Sequence, residues 1–228
     1  MSEFVLVPGT WLGSSAWDEV AVHLRAAGHG AHPLTLSGLA ERRAEPTGQQ
    51  AHVRDIVEEI ERLDLRDVVL VGHGYAGIPV GQAAGRIGDR LARVVFVDAS
   101  LPTDGQPFLT GWALMTLGGS NNGSWRPLQP DDFAHQGLTD EHIARIVAGS
   151  TPHPGTTLTE PAVLTRPLDM LPTTYIQCLL DHLTLPPRVV ELLKSDRWEL
   201  FEMFTGHWPM YSEPCELAAI LLQSASRG

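Results

Sequence analysis

The segment Asp67-Val68-Val69-Leu70-Val71-Gly72-His73-Gly74-Tyr75-Ala76-Gly77 decides how this chain folds. Val68 to Val71 is a short apolar run with no polar alternation, the pattern of a strand covered on both faces in a parallel sheet. It passes without a linker into a turn of small residues, and the apolar stretch Ile78 to Ala84 reads as a helix packed on the sheet. Where a strand and a helix meet this closely the backbones need room, and Gly72 with the pair Ala76-Gly77 leaves it. The residue at the apex of such a turn is strained, a conformation that glycine at position 74 adopts easily.

The same grammar extends outward. Phe4 to Val7 and Val94 to Val97 repeat the buried-strand pattern, Thr174 to Cys178 is a weaker candidate, and Trp198 to Phe204 offers a further strand. Between them, Ser15 to Ala27 carries Trp17, Val20, Ala21 and Leu24 at helical spacing and stops at Gly28. Ala51 to Leu63 places Val53, Ile56, Val57 and Ile60 on one face and Arg54, Asp55, Glu58 and Glu59 on the other. Alternating strands and helices predict an α/β fold with right-handed crossovers, a doubly wound and mostly parallel sheet. At 228 residues the chain fits one domain, residues 1–228. The middle breaks the pattern: it is rich in glycine and proline, with a helical piece at Thr139 to Ala148 and a loop signal at Gly118 to Ser124. Residues 103–171 therefore read as a helical lid inserted over the sheet, against the plainer alternative of a decorated surface loop. Phe108, Trp112, Met115, Trp125, Phe133 and, near the C-terminus, Trp208 are the aromatic and apolar candidates for a pocket wall.

Composition narrows the function. Hydrophobic residues make up 43% and charged residues 19%, enough for a core with a buried pocket. The net charge of −11, from 16 Lys+Arg against 27 Asp+Glu, with no basic run, speaks against nucleic acid and anionic membranes as partners. No apolar run approaches the roughly 18 residues of a membrane span, and the N-terminus begins as a strand, not as a signal peptide. A cytoplasmic protein is expected, monomeric or homodimeric, acting on a small molecule. Cys178 and Cys215 form neither a Cys-x-x-Cys pair nor a zinc cluster and are expected as buried, reduced thiols. The Gly-x-Gly at residues 72–74 lacks the third glycine and the Lys-Ser/Thr pair of phosphate loops. No cofactor and no metal are expected.

Strand, tight small-residue turn and helix are the setting of a G-x-S-x-G nucleophile elbow. Phe4-Val5-Leu6-Val7-Pro8-Gly9-Thr10-Trp11-Leu12-Gly13-Ser14-Ser15-Ala16-Trp17 resembles the oxyanion segment of one group of the α/β-hydrolase superfamily. That group holds small bacterial esterase-like hydrolases, plant methyl-ester esterases and plant hydroxynitrile lyases. Pro33 to Arg42, Val97 to Gln106 and Phe204-Thr205-Gly206-His207 resemble further signatures of it, so the likeness spans most of the chain and is weakest across the lid. It implies His207 as the catalytic histidine and Asp181, after the strand ending at Cys178, as its acid. It implies the backbone N–H groups of Thr10 (or Trp11) and Tyr75 as the oxyanion hole, and places Gly74 at the nucleophile. Asp98, at the end of another strand, is a rival acid. His73 and His182 read as neighbours of the site, and His23, His29, His32 and His52 as surface or helix-end residues.

Glycine has no atom that can attack a carbonyl, and loss of the nucleophile from such a triad lowers turnover on the order of a millionfold. Covalent esterase chemistry through residue 74 is excluded for this sequence. Three readings follow. In the first, His207, oriented by Asp181, acts directly as general acid or base opposite the N–H donors, in proton abstraction, elimination, cyclisation or hydration, possible steps of secondary metabolism. In the second, the chain is a carboxylic ester hydrolase whose serine has been exchanged to trap substrate. In the third, it binds a small ligand without catalysis. The aromatic candidates favour an apolar or aromatic substrate.

Overall fold

The computed structural model describes residues 1–110, 123–181 and 183–227. Strands β1 (Glu3–Val7), β2 (Gly30–Pro33), β3 (Val68–His73) and β4 (Leu91–Val97) are followed by a two-residue antiparallel pair, β5 (Ser124–Trp125) with β6 (His153–Pro154), and then by β7 (Thr173–Cys178) and β8 (Trp198–Met203). The six longer strands form one sheet in the order β2-β1-β3-β4-β7-β8, and every neighbouring pair is parallel. Helices α1 (Asp18–Ala26), α2 (Gln49–Arg62) and α3 (Gly77–Ile87) make the first crossovers. α4 (Asp140–Gly149) and α5 (Gly155–Thr159) lie between β4 and β7, and α6 (Pro187–Leu192), α7 (Pro209–Ser212) and α8 (Pro214–Ala225) complete the chain.

The strands lack alternation because both faces are covered. Phe4, Leu6, Val69, Val71, Val95 and Val97 pack with Val20 and Leu24 of α1 and with Leu217 and Leu221 of α8. Their neighbours Val5, Val7, Leu70, Val94 and Phe96 point the other way, against Val53, Ile56 and Ile60 of α2 and Val80 and Ala83 of α3. Each such side chain contributes about 1.5–3 kcal/mol on burial. Helices on both faces of a parallel sheet are the doubly wound arrangement expected. β1 is the switch point: the chain steps from β1 to β2 on one side, then to β3 on the other. The loops that leave β1 and β3 diverge there, opening a crevice at the carboxyl ends of the strands.

Several details depart from expectation. β2 was not anticipated, since Gly30-Ala31-His32-Pro33 carries almost no apolar pattern; it is held at the sheet edge by its pairing with β1. α8, buried through Leu217, Ala218, Ile220 and Leu221, was also not anticipated. The last strand stops at Met203, and Phe204 is 79% exposed. Cys178 is buried, but Cys215 is exposed, contrary to expectation; both are free. His52 is not a surface residue: it is fully buried on the inner stripe of α2, one turn before Ile56. Among the described residues no helix is long and apolar enough to cross a membrane.

Candidate active site

The turn after β3 is built as its composition requires. Gly74 has φ +54, in the left-handed region that glycine enters without penalty. A Cβ on Gly77 would collide with the Ser100 carbonyl and lie 2.9 Å from Ala99 Cβ, so only glycine allows α3 this close to the end of β4. The N–H of Ser100 donates to the Gly74 carbonyl at 3.0 Å, tying the two strand ends together.

Above Gly74 stands His207. It follows β8, and Gly206 before it lies where a side chain would strike the backbone of Gln136. A Cβ placed on Gly74 would sit 3.1 Å from His207 Nε2, so this nitrogen addresses the spot where a side chain of residue 74 would begin. The other ring nitrogen meets two carboxylates. Nδ1–H donates to Asp98 Oδ2 at 2.6 Å, with Asp181 Oδ2 at 3.4 Å. Asp98, the rival acid, is thus the shorter partner. It closes β4 with φ +43, its N–H donates to the Ile176 carbonyl at 2.7 Å, and its second oxygen accepts from the Cys178 N–H at 3.3 Å. Asp181 accepts from Gln136 Nε2 at 3.0 Å, while Gln136 Oε1 accepts from the backbone N–H of His207 at 2.6 Å. One amide therefore positions both the histidine loop and the second carboxylate.

Electrostatics follow from these partners. Burial disfavours the charged imidazole, but the hydrogen bonds to Asp181 and Asp98 and the charges of both outweigh it, and His207 is pushed up to about 9. The hydrogen bond to His207 holds Asp181 well below the usual carboxylate range. His73, in β3 beside Gly74, is the opposite case. Its Nε2–H donates to the His207 carbonyl at 2.6 Å, which leaves Nδ1 deprotonated, and burial followed by the nearby charge of His207 pushes its pKa well down.

The cavity over Gly74 has a volume of about 400 Å³. Thr10, Tyr75, Asp98, Ser100 and His207 provide its polar lining, and Trp11, Phe108, Trp125, Leu128 and Trp208 its apolar walls, with Arg126 and Asp132 at the side. Of the expected wall residues, Phe108, Trp125 and Trp208 line the cavity. Phe133 does not: it is buried behind Trp208, with ring centroids 4.8 Å apart, and supports that wall from outside. Trp112, Met115 and His182 lie outside the described residues, as does most of the expected loop at Gly118 to Ser124. Trp11 is removed as an oxyanion donor, because its N–H is committed to His153 Nδ1 at 3.1 Å; Thr10 is the remaining candidate on that loop. Asp98, Asp181 and His207 also offer three ligand atoms within 4.8 Å of one another, but the direct bonds among them account for that spacing.

Sequence reasoning missed His153, Thr157 and Gln136 altogether and misread His52. For His52 a signal existed, since it continues the Val53–Ile56–Ile60 stripe one turn earlier. For the other three there was none, because the residues they hold in the site, Trp11, Tyr75, Asp181 and His207, are distant from them in sequence.

Comparison with known proteins agrees with the fold. A model of the alpha/beta hydrolase family matches residues 4–220. A carbendazim hydrolyzing esterase from Nocardioides sp. is 36% identical over 112 residues, 48% of this chain and 46% of that esterase, so the chain spans about half the length of this relative. A probable hydrolase, R7, from Phoma sp. is 26% identical over 241 residues, 97% of each chain. An extracellular alpha/beta-hydrolase from a Paenibacillus species superposes with a TM-score of 0.84 over 98% of both chains at 22% identity, which shows a shared fold.

Proposed function

The chain belongs to the alpha/beta hydrolase family, a family of small-molecule enzymes with esterase homologues, and from that premise we propose that it transfers protons through His207 without a covalent intermediate. The observation that carries this reading is the meeting of Gly74 with His207 Nε2: the proton-bearing nitrogen faces a position at which the enzyme offers no hydroxyl. A substrate atom occupies that position instead. Its carbonyl oxygen lies between the N–H groups of Thr10 and Tyr75, which stabilise the charge that develops there. The aromatic walls favour an apolar or aromatic substrate, and residues 103–171 act as the lid over it.

Two carboxylates around one imidazole change the direction of the chemistry. In an ordinary triad the histidine must be neutral to accept the serine proton. With its pKa near 9, His207 rests as an imidazolium at neutral pH and enters the cycle as the acid. Protonation of an enolate held by the N–H donors, or of a leaving group, fits that state. The reverse step, abstraction of a proton beside a carbonyl, needs the neutral ring, which becomes populated as pH approaches 9.

Solvent deuterium exchange into an enolisable aryl ketone, followed by NMR, tests the proposal. Exchange should accelerate up to about pH 9 and then level. His207→Ala should lower it by about 10²–10⁴-fold, the usual contribution of a positioned acid or base. Equal exchange in the wild type and His207→Ala would end the reading. A second reading, an esterase that lacks only its serine, is favoured by the esterase relatives. Gly74→Ser should then acquire burst-phase hydrolysis of p-nitrophenyl esters, and no gain counts against it.

A further inference from the structure

Thr10 and Tyr75 leave different strands, yet the same short stretch, residues 151–157, holds both loops. Trp11, directly after Thr10, has φ +68, a strained value for a residue with a large side chain. Three bonds keep it there. Its N–H donates to His153 Nδ1 at 3.1 Å, and its carbonyl accepts from Thr151 N–H at 3.0 Å and Thr151 Oγ1 at 3.2 Å. His153 is wholly buried, and its own protonation is fixed by its partners. A backbone N–H can only donate, so Nδ1 carries the lone pair and Nε2 the hydrogen. That hydrogen goes to Thr157 Oγ1 at 2.9 Å, while the Thr157 hydroxyl donates to the Pro154 carbonyl at 2.6 Å.

The other loop ends on the same residues. The Tyr75 hydroxyl lies 3.1 Å from both the Thr157 carbonyl and His52 Nδ1, and its ring packs edge-on against His153 with centroids 5.0 Å apart. Gln49 Nε2 of α2 donates to the carbonyls of Thr157 (3.2 Å) and Glu160 (3.0 Å), anchoring the stretch to the helix layer. The wall of the cavity is tied in as well, since β6 pairs with β5 and the Trp125 ring packs tilted against Trp11 with centroids 4.3 Å apart.

We propose that His153 is a positioning residue for the oxyanion pocket: by holding the strained Trp11 backbone and, through Thr157, sharing a support with Tyr75, it sets where the Thr10 and Tyr75 N–H groups point. The inference rests on the oxyanion role given to those two N–H groups above. A consequence is that the pocket is completed by a segment far from the elbow in sequence. His153 Nδ1 is a fixed acceptor, so a residue with an acceptor at the same distance should replace it, whereas an apolar residue of similar size should not.

The test uses phenylphosphonate as the oxyanion probe and the backbone amide signals of Thr10 and Tyr75 in ¹H–¹⁵N NMR as the readout. In the wild type both amides should move downfield on titration. His153→Leu, with native circular dichroism, should lose the Thr10 response and bind the probe about tenfold or more weakly, in the direction of losing one oxyanion donor. His153→Asn, whose Oδ1 stands where Nδ1 stood, should restore most of both. If His153→Leu responds and binds like the wild type, the proposal is wrong while the oxyanion reading survives. If neither amide responds in the wild type, the oxyanion reading itself fails and the proposal with it. Should His153→Leu not fold, Thr157→Val decides in its place: a weakened Thr10 response supports the proposal, and a wild-type response overturns it.

Discussion

Four histidines pack about the turn at Gly74 and Tyr75, His207 and His73 beside the glycine and His52 and His153 against the tyrosine, and they divide into two regions with opposite chemistry. On one side His207 faces Asp98 and Asp181 and is held charged. On the other, His73, His52 and His153 are buried among backbone carbonyls, backbone N–H groups and hydroxyls, and burial keeps them neutral. All four have short hydrogen bonds, so hydrogen bonding alone does not set their charge. The partner's charge does: a carboxylate stabilises the imidazolium, while a carbonyl or an amide N–H selects a tautomer and leaves the desolvation penalty in force. The charged histidine is the one to which the proposed function gives proton exchange with substrate. The neutral ones fix loops, a role in which a change of protonation would be a fault.

The contrast breaks most severely if the carboxylate is taken away. Asp98→Asn turns the 2.6 Å acceptor of His207 into an amide that can present a donor to Nδ1 and select the wrong tautomer. His207 should titrate lower by NMR, and proton exchange should fall by about 10²-fold or more. Asp181→Asn should fall less, because its oxygen stands at 3.4 Å and does not orient the ring alone.

Stability against pH sharpens the same contrast, because the two sides have opposite signs. His207 has a folded pKa of about 9, above the ordinary 6.5, so its contribution is full below pH 6.5 and is lost as pH rises through about 9. It is worth at most about 3 kcal/mol, at 1.36 kcal/mol per unit. His52, lowered to about 4, takes up a proton only on unfolding between those values, so stability is lost as pH falls from 6.5 towards 4. Urea unfolding at pH 4.5, 6.5 and 9.5 should show a maximum near the middle value. His207→Gln should flatten the alkaline arm and keep the acid arm, reduced only by the share of the His73 shift that the charge of His207 supplies.

The smallest effect is expected at the seam between the two regions. Gly74→Ala places a side chain at φ +54 and a Cβ 3.1 Å from His207 Nε2. The left-handed conformation costs about 1–2 kcal/mol, which corresponds to a fall in Tm of about 2–8 °C for a chain of this size. A rise in Tm would mean that the backbone at residue 74 relaxes without strain.

The readable parts of this molecule were those whose cause is local. Unalternating valines announced strands buried on both faces, the stripe on α2 announced its packing face, and small residues after Val71 announced a tight turn without a hydroxyl at its apex. The likeness of Thr-Gly-His at residues 205–207 and of Asp181 to a known group pointed to the loops after β8 and β7. What could not be read was which groups meet across the sheet. Asp98 stands in the sequence only as a rival acid, and nothing near it indicates that its carboxylate lies closer to His207, 109 residues away, than that of Asp181 does. Nor does anything near Trp11 indicate that its N–H is taken by His153, 142 residues away. Periodicity and backbone preference act over a few residues, so the chain by itself determined its buried strands, the packing faces of its first helices and the glycine at the apex of the turn after β3. The ionisation of His207 and the choice of N–H donors depend on distances of about 3 Å between strand ends, and those distances exist only once the parallel sheet has brought the ends together.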